Sequence, residues 1–234
     1  MTDHDDAPRR RSTRLRAGLA AVAVTTALLP AVWGGSPAGA ALAPDGAVAA
    51  GGYLYWSNTV GRISKPGNGM IGRASLNGTH VDQKFITGAS LPGMVLVYRG
   101  YLYWGNIVPL GDGDGMIGRA NLNGTGVNQN FIAVPHGPSG DAGVAVNSRY
   151  IYWTDEKGNE IGRANLNGTD VNQKFITGAH FPDAIAAGPQ YLYWTNQNSH
   201  AIGRARLNGT DVNQRFLARK DFLNLHGIAV DPGR

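Results

Sequence analysis

Tyr150-Ile151-Tyr152-Trp153-Thr154-Asp155 is followed by Ile161-Gly162-Arg163-Ala164-Asn165-Leu166-Asn167-Gly168-Thr169 and then by Gln173-Lys174-Phe175-Ile176. This stretch decides the fold, because it returns three more times. Tyr-aliphatic-Tyr-Trp stands also at Tyr53 to Trp56, Tyr101 to Trp104 and Tyr191 to Trp194. Ile-Gly-Arg-Ala-x-Leu-Asn-Gly-Thr follows each copy, at Ile71 to Thr79, Ile117 to Thr125 and Ile202 to Thr210. A Gln-x-Phe-aliphatic element closes each unit, at Gln83 to Ile86, Gln129 to Ile132 and Gln214 to Leu217. Four long copies in one order and at near-constant spacing mark a repeat architecture.

Each unit reads as four short strands. The Tyr-aliphatic-Tyr-Trp segment is dense in aromatic and branched β formers. Ile-Gly-Arg-Ala-x-Leu is a second strand and the Phe-aliphatic segment a third. The Asn-Gly between them predicts a two-residue hairpin turn with positive φ at both central positions. A short apolar run before each Tyr segment supplies the fourth strand: Gly46 to Ala50, Met94 to Tyr98, Gly143 to Val146 and Ala184 to Ala187. Four antiparallel strands in roughly forty residues predict an all-β fold, a β-propeller, with blades at about 45–88, 92–134, 140–178 and 182–219. The glycines, 34 in all, are assigned to turns. Residues 225–234 supply one more opening or closing strand. It either completes blade one beside Tyr53 to Ser57 or starts a blade the sequence does not finish. The weight falls on an open arc, whose bare blade faces then self-associate or recruit a partner.

These residues resemble the Tyr-Trp-Thr-Asp (class B) repeats of the low-density lipoprotein receptor family. Trp153-Thr154-Asp155 and Ile161 to Gly168 carry the likeness, and Gly227-Ile228-Ala229-Val230-Asp231 resembles a blade-opening strand. The resemblance runs from about Asp45 onward and implies wedge-shaped blades around a channel, usually six. It also implies that Asp155 bridges neighbouring blades. Asn58, Asn106 and Asn196 replace that Asp in the other units, keeping a hydrogen-bond acceptor without the charge.

The first forty residues stand apart. Five arginines between Arg9 and Arg16 precede an apolar run from Ala17 to Trp33, and small residues end the segment at Ala38-Gly39-Ala40. This pattern predicts a secretory signal peptide over 1–40, of bacterial type, cleaved after Ala40 and leaving no stable membrane span. The remainder is then secreted to the extracellular space. The formal charge of the whole chain is +5. The leader holds five arginines and three aspartates, so the remainder carries +3 with no basic run, which argues against a nucleic-acid partner. With no cysteine, the exported chain relies on packing rather than disulfides.

The recurrent residues face structural and functional readings. Trp56, Trp104, Trp153 and Trp194 are assigned to packing between blades rather than to stacking on ligands. Arg73, Arg119, Arg163 and Arg204 are assigned to a local contact repeated in every blade rather than to an anion-binding ring. Asn77, Asn123, Asn167 and Asn208 lie in Asn-Gly-Thr, an N-glycosylation pattern, but the turn itself accounts for them. Asp112 and Asp114 offer a loop two carboxylates, short of a calcium-loop pattern, and read as a solvated turn. No catalytic residue, cofactor site or metal site is nominated.

Two classes of function fit this frame. The first is a secreted binding or scaffold module whose face loops recognise a protein or carbohydrate partner. The second is an enzyme of the lyase or lactone-hydrolase kind, holding a divalent ion in the channel. A third reading is a truncated propeller remnant.

Overall fold

A computed structural model describes residues 52–59, 67–106, 115–135 and 143–231. The leader, its cleavage point, the opening strand at Gly46 to Ala50, and Asp112 and Asp114 lie outside the described residues.

The described chain is a succession of four antiparallel meanders. The first comprises β1 (Tyr53–Thr59), β2 (Gly69–Ser75) and β3 (Asp82–Ala89). The second comprises β4 (Pro92–Tyr98), β5 (Tyr101–Asn106), β6 (Gly115–Asn121) and β7 (Asn128–Val134). The third is built from β8 (Val144–Val146), β9 (Tyr150–Asp155), β10 (Glu160–Asn165) and β11 (Asn172–Ile176). The fourth is built from β12 (Pro182–Ala187), β13 (Tyr191–Asn196), β14 (Ala201–Arg206) and β15 (Asn213–Ala218). These are blades of a β-propeller, three with four strands and the first with three among the described residues.

The pleat explains why one motif serves every blade. Successive side chains of a strand point to opposite faces. In β5, Leu102 and Trp104 therefore share one face while Tyr103 points to the other. Leu102, Trp104 and Ala120 pack with Tyr55, Ile71 and Ile86 of blade one. Tyr103, Ile117 and Ile132 pack with Ile151, Trp153 and Ala164 of blade three. The same pairing joins Tyr152, Ile161 and Ile176 to Leu192, Trp194 and Ala205 of blade four. Each blade thus carries a Leu-Trp-Ala face and a Tyr-Ile-Ile face, and each internal junction joins one of each kind. The ladder slips between Ile117 and Arg119, so Phe131 as well as Ile132 reaches the junction with blade three.

Two sequence expectations are corrected. The Asn-Gly turns are not two-residue turns with both φ positive. Gly78, Gly124, Gly168 and Gly209 have φ from 79° to 87°, but the preceding asparagines do not lie at positive φ. Each glycine N–H donates to a carbonyl three residues back, as Gly168 does to Asn165 at 2.9 Å. The asparagine Oδ1 accepts from the following threonine N–H and hydroxyl, at 3.1 and 2.8 Å for Asn167 and Thr169. The asparagine side chain closes the turn, and only the glycine needs the left-handed region. Residues 225–231 form no strand and do not pair with Tyr53 to Ser57. They run beside blade four instead, where His226 Nδ1 lies 3.0 Å from Asp183 Oδ2. A strand forms only with a hydrogen-bonding edge beside it, and β1 does not provide one here.

Candidate functional site: the blade junctions and their loops

The recurrent residues converge on the junctions. Each Trp sits directly across the ladder from the glycine of Ile-Gly-Arg: Trp56 from Gly72, Trp104 from Gly118, Trp153 from Gly162 and Trp194 from Gly203. A Cβ on any of these glycines would fall inside the indole's contact distance. The glycine is therefore the floor on which the indole lies, a role that the assignment of glycines to turns missed. Trp-to-Gly pairing at fixed spacing was the available signal.

The indole N–H groups are mostly partnered. Trp56, Trp104 and Trp194 Nε1 donate to Oε1 of Gln83, Gln129 and Gln214, at 3.2, 3.1 and 3.1 Å. Trp153 Nε1 is buried with no hydrogen-bond partner. The glutamines also reach the preceding blade, where Gln129 Nε2 donates to Thr87 O at 2.9 Å, Gln173 to Ala133 O at 2.7 Å and Gln214 to Thr177 O at 2.8 Å. The motif shows these glutamines, but not the carbonyls they meet on the neighbouring blade.

The replaced motif aspartates gain a function from the replacement. Asn106 Oδ1 accepts from Ser90 N–H at 3.1 Å, in the link from blade one, while its Nδ2 donates to Gln129 O at 2.8 Å. Asn196 repeats this with His180 N–H at 3.0 Å and Gln214 O at 2.8 Å. A carboxylate makes the first bond but has no proton for the second. Asp155 Oδ1 accepts from Gly158 N–H at 2.7 Å, within its own loop. Asn58 is only half-buried.

The arginines form a ladder of stacked cations. Arg119 lies 3.9 Å from the Phe131 ring centroid and 4.8 Å from that of Tyr101. Arg73, Arg163 and Arg204 sit between their own Tyr and Phe in the same way. Face-on stacking binds a guanidinium without consuming its N–H groups. Arg119 uses one to reach the next blade, at Leu166 O, 3.2 Å away. The buried Nε atoms of Arg73 and Arg204 have no hydrogen-bond partner. Beside the ladder, burial raises the pKa of Tyr55, Tyr103 and Tyr152 above the usual tyrosine value, against a smaller lowering influence from neighbouring polar groups, chiefly the arginines. Tyr55 and Tyr152 hydroxyls donate across the junction to Leu122 O and Leu207 O, at 3.1 and 3.3 Å.

One polar cluster lies outside this pattern. Asp183, buried at the start of β12, accepts from Gln197 Nε2 at 2.9 Å and contacts His226. No sequence signal joined these three residues. Among the described residues, no group of three or more His, Cys, Asp or Glu is placed to hold a metal, and no helix is long and apolar enough to cross a membrane.

Residues 190–232 match the model of the low-density lipoprotein receptor repeat class B family. No curated protein matches the sequence. Among solved structures, a chain of a nidogen/laminin complex superposes with a TM-score of 0.51 at 22% identity, over 69% of this chain and 60% of that one. A virginiamycin B lyase from Staphylococcus aureus superposes with a TM-score of 0.50 at 19% identity, over 76% of this chain and 64% of that one. The chain thus spans less than two thirds of either structure. Such likenesses speak to fold, and one fold hosts both binders and enzymes. The chain is a β-propeller, and its stretch 190–232 matches a low-density lipoprotein receptor class B repeat.

Proposed function

We propose that the protein is a secreted binding or scaffold module that presents loops from a rigid blade frame to a protein or carbohydrate partner. One observation carries this reading. The polar and aromatic residues that recur in every blade are engaged within blades and across junctions. What differs between blades is the loop after the Tyr-Trp strand. In blade three it is Glu156-Lys157-Gly158-Asn159, and in blade four Gln197-Asn198-Ser199-His200. Recognition belongs in varied loops held by an invariant frame. On this reading Trp56, Trp104, Trp153, Trp194, the motif residues Asn58, Asn106, Asp155 and Asn196, and the four ladder arginines hold the frame. The arginine-headed apolar leader supports export.

The test is direct binding of the purified chain to a glycan array and to a panel of matrix proteins. Saturable binding is expected. It should weaken in Lys157→Ala and Asn198→Ala, exposed positions in the two loops, with melting unchanged. Hydrolysis or elimination of a lactone substrate that depends on an added divalent cation, with no binding on either panel, overturns the reading in favour of the enzyme.

A further inference from the structure

The two end faces of the arc are the two halves of a blade junction, and the internal junctions show how such halves fit. Blade one turns its Leu-Trp-Ala face outward. Leu54 there is 40% exposed, whereas Leu102, Ile151 and Leu192, its equivalents, are 0% exposed. Gly124, Gly168 and Gly209 lie against Phe85, Phe131 and Phe175 of the preceding blade, with a Cβ position 2.8–2.9 Å from the ring. Gly78 has nothing within 4 Å. Blade four turns its Tyr-Ile-Ile face outward. Leu217 is 46% exposed where Ile86, Ile132 and Ile176 are 2% exposed.

Blade one has no inner strand among the described residues, while residues 226–230 lie along blade four without a strand partner. His226 meets Asp183 at the start of β12, and a Cβ on Gly188, just past its end, would lie 3.1 Å from Val230. The segment therefore runs parallel to β12, in the place of a next blade's opening strand. Its sequence, Gly227-Ile228-Ala229-Val230, repeats the pattern of Gly143-Val144-Ala145-Val146, which opens blade three. The matched repeat model extends through this segment, to residue 232.

We propose that a second copy of this chain docks head to tail on the first, its blade one seated on blade four and its β1 paired with residues 228–230 of the first copy. The register follows from blade three, where Val144, Ala145 and Val146 face Trp153, Tyr152 and Ile151. Ile228, Ala229 and Val230 of one copy therefore face Trp56, Tyr55 and Leu54 of the other. Phe216 of the first copy packs on Gly78 of the second. Gln83 Nε2 of the second donates to Ala218 O of the first, as Gln214 does to Thr177 O. Docking is favoured because it buries two apolar faces and gives residues 228–230 a strand partner. A head-to-tail contact closes into a ring if the rotation allows and otherwise propagates.

The chain has no cysteine, so introduced cysteines report unambiguously. Residues directly opposite on antiparallel strands lie at disulfide distance. Leu54→Cys and Val230→Cys chains, mixed and oxidised, should give a cross-linked dimer on a non-reducing gel. Leu54→Cys mixed with Val171→Cys should not, since Val171 lies off the junction. Light scattering of the full chain should give at least two copies, falling to one in Leu217→Asp, an exposed position whose change leaves melting of the single copy intact. A monomer at micromolar concentration overturns the proposal. So does a doubly substituted chain, Leu54→Cys with Val230→Cys, that cross-links only within itself, which would show closure in one copy. Neither outcome touches the loop-binding reading, which is scored on the arrays.

Discussion

The junction between blades three and four and the outer face of blade one are made from the same motif and meet different surroundings. At the internal junction Trp194 and Leu192 are buried against Tyr152, Ile161 and Ile176. On the outer face Trp56 is half-buried and Leu54 40% exposed. Sequence identity therefore does not give energetic identity. A repeat contributes its full hydrophobic stabilisation only where the next repeat covers it. Stability should be graded along the arc, with the two middle blades firm and the two end faces weaker.

Tryptophan truncation gives the largest test of that contrast. Trp153→Ala should destabilise by about 3–5 kcal/mol, because it removes a fully buried ring and leaves a cavity. Trp56→Ala should cost less, on the order of 1–2 kcal/mol, since its ring is only partly buried. Both are measured by denaturant unfolding of the single copy. Equal losses in the single copy would break the comparison by showing that the two indoles are equally buried.

Glycine substitution probes the same contact from beneath. Gly162→Ala should cost about 1–3 kcal/mol by pressing a methyl group into the Trp153 indole. The same change at Gly72 should cost less, because the half-buried Trp56 has room to swing outward. A shift in melting temperature for each variant checks this, and a larger loss at Gly72 would contradict it.

The asparagine bridge gives an effect of similar or smaller size. Asn106→Asp removes the donor to Gln129 O and places a carboxylate against that carbonyl, so a loss of about 1–3 kcal/mol is expected. Asn58→Asp, at a half-buried site, should stay within about 0.5 kcal/mol. Thermal unfolding of the two variants side by side separates them. If both are neutral, the bridge adds little to the junction.

The smallest and most distributed effect concerns pH. Tyr55, Tyr103 and Tyr152 have raised pKa values because burial disfavours the phenolate. Above about pH 10 the unfolded chain loses protons that the folded chain retains. Stability from these groups is therefore complete below the unfolded value and declines as pH rises through the folded values. Melting temperature followed from pH 8 to 11, with tyrosinate absorbance, should show ionisation of buried tyrosines coinciding with unfolding. Full ionisation in the folded state would remove the coupling.

The sequence alone determined the fold class and the repeat. Alternation in Tyr-Leu-Tyr-Trp, the hairpin residues and four copies in order leave few alternatives, because period-two patterning and turn chemistry are local properties. It did not reveal that Gly162 is a floor for Trp153, that Gln129 reaches back to Thr87, or that Asn106 surpasses an aspartate by donating. Those roles depend on which groups meet across a ladder or between blades, and contact partners distant in sequence are set by packing. Nor did the local pattern of Gly227-Ile228-Ala229-Val230 decide whether it becomes a strand. A strand's hydrogen bonds are made with another strand, so only the tertiary structure, by placing this segment along blade four and away from β1, left it unpaired.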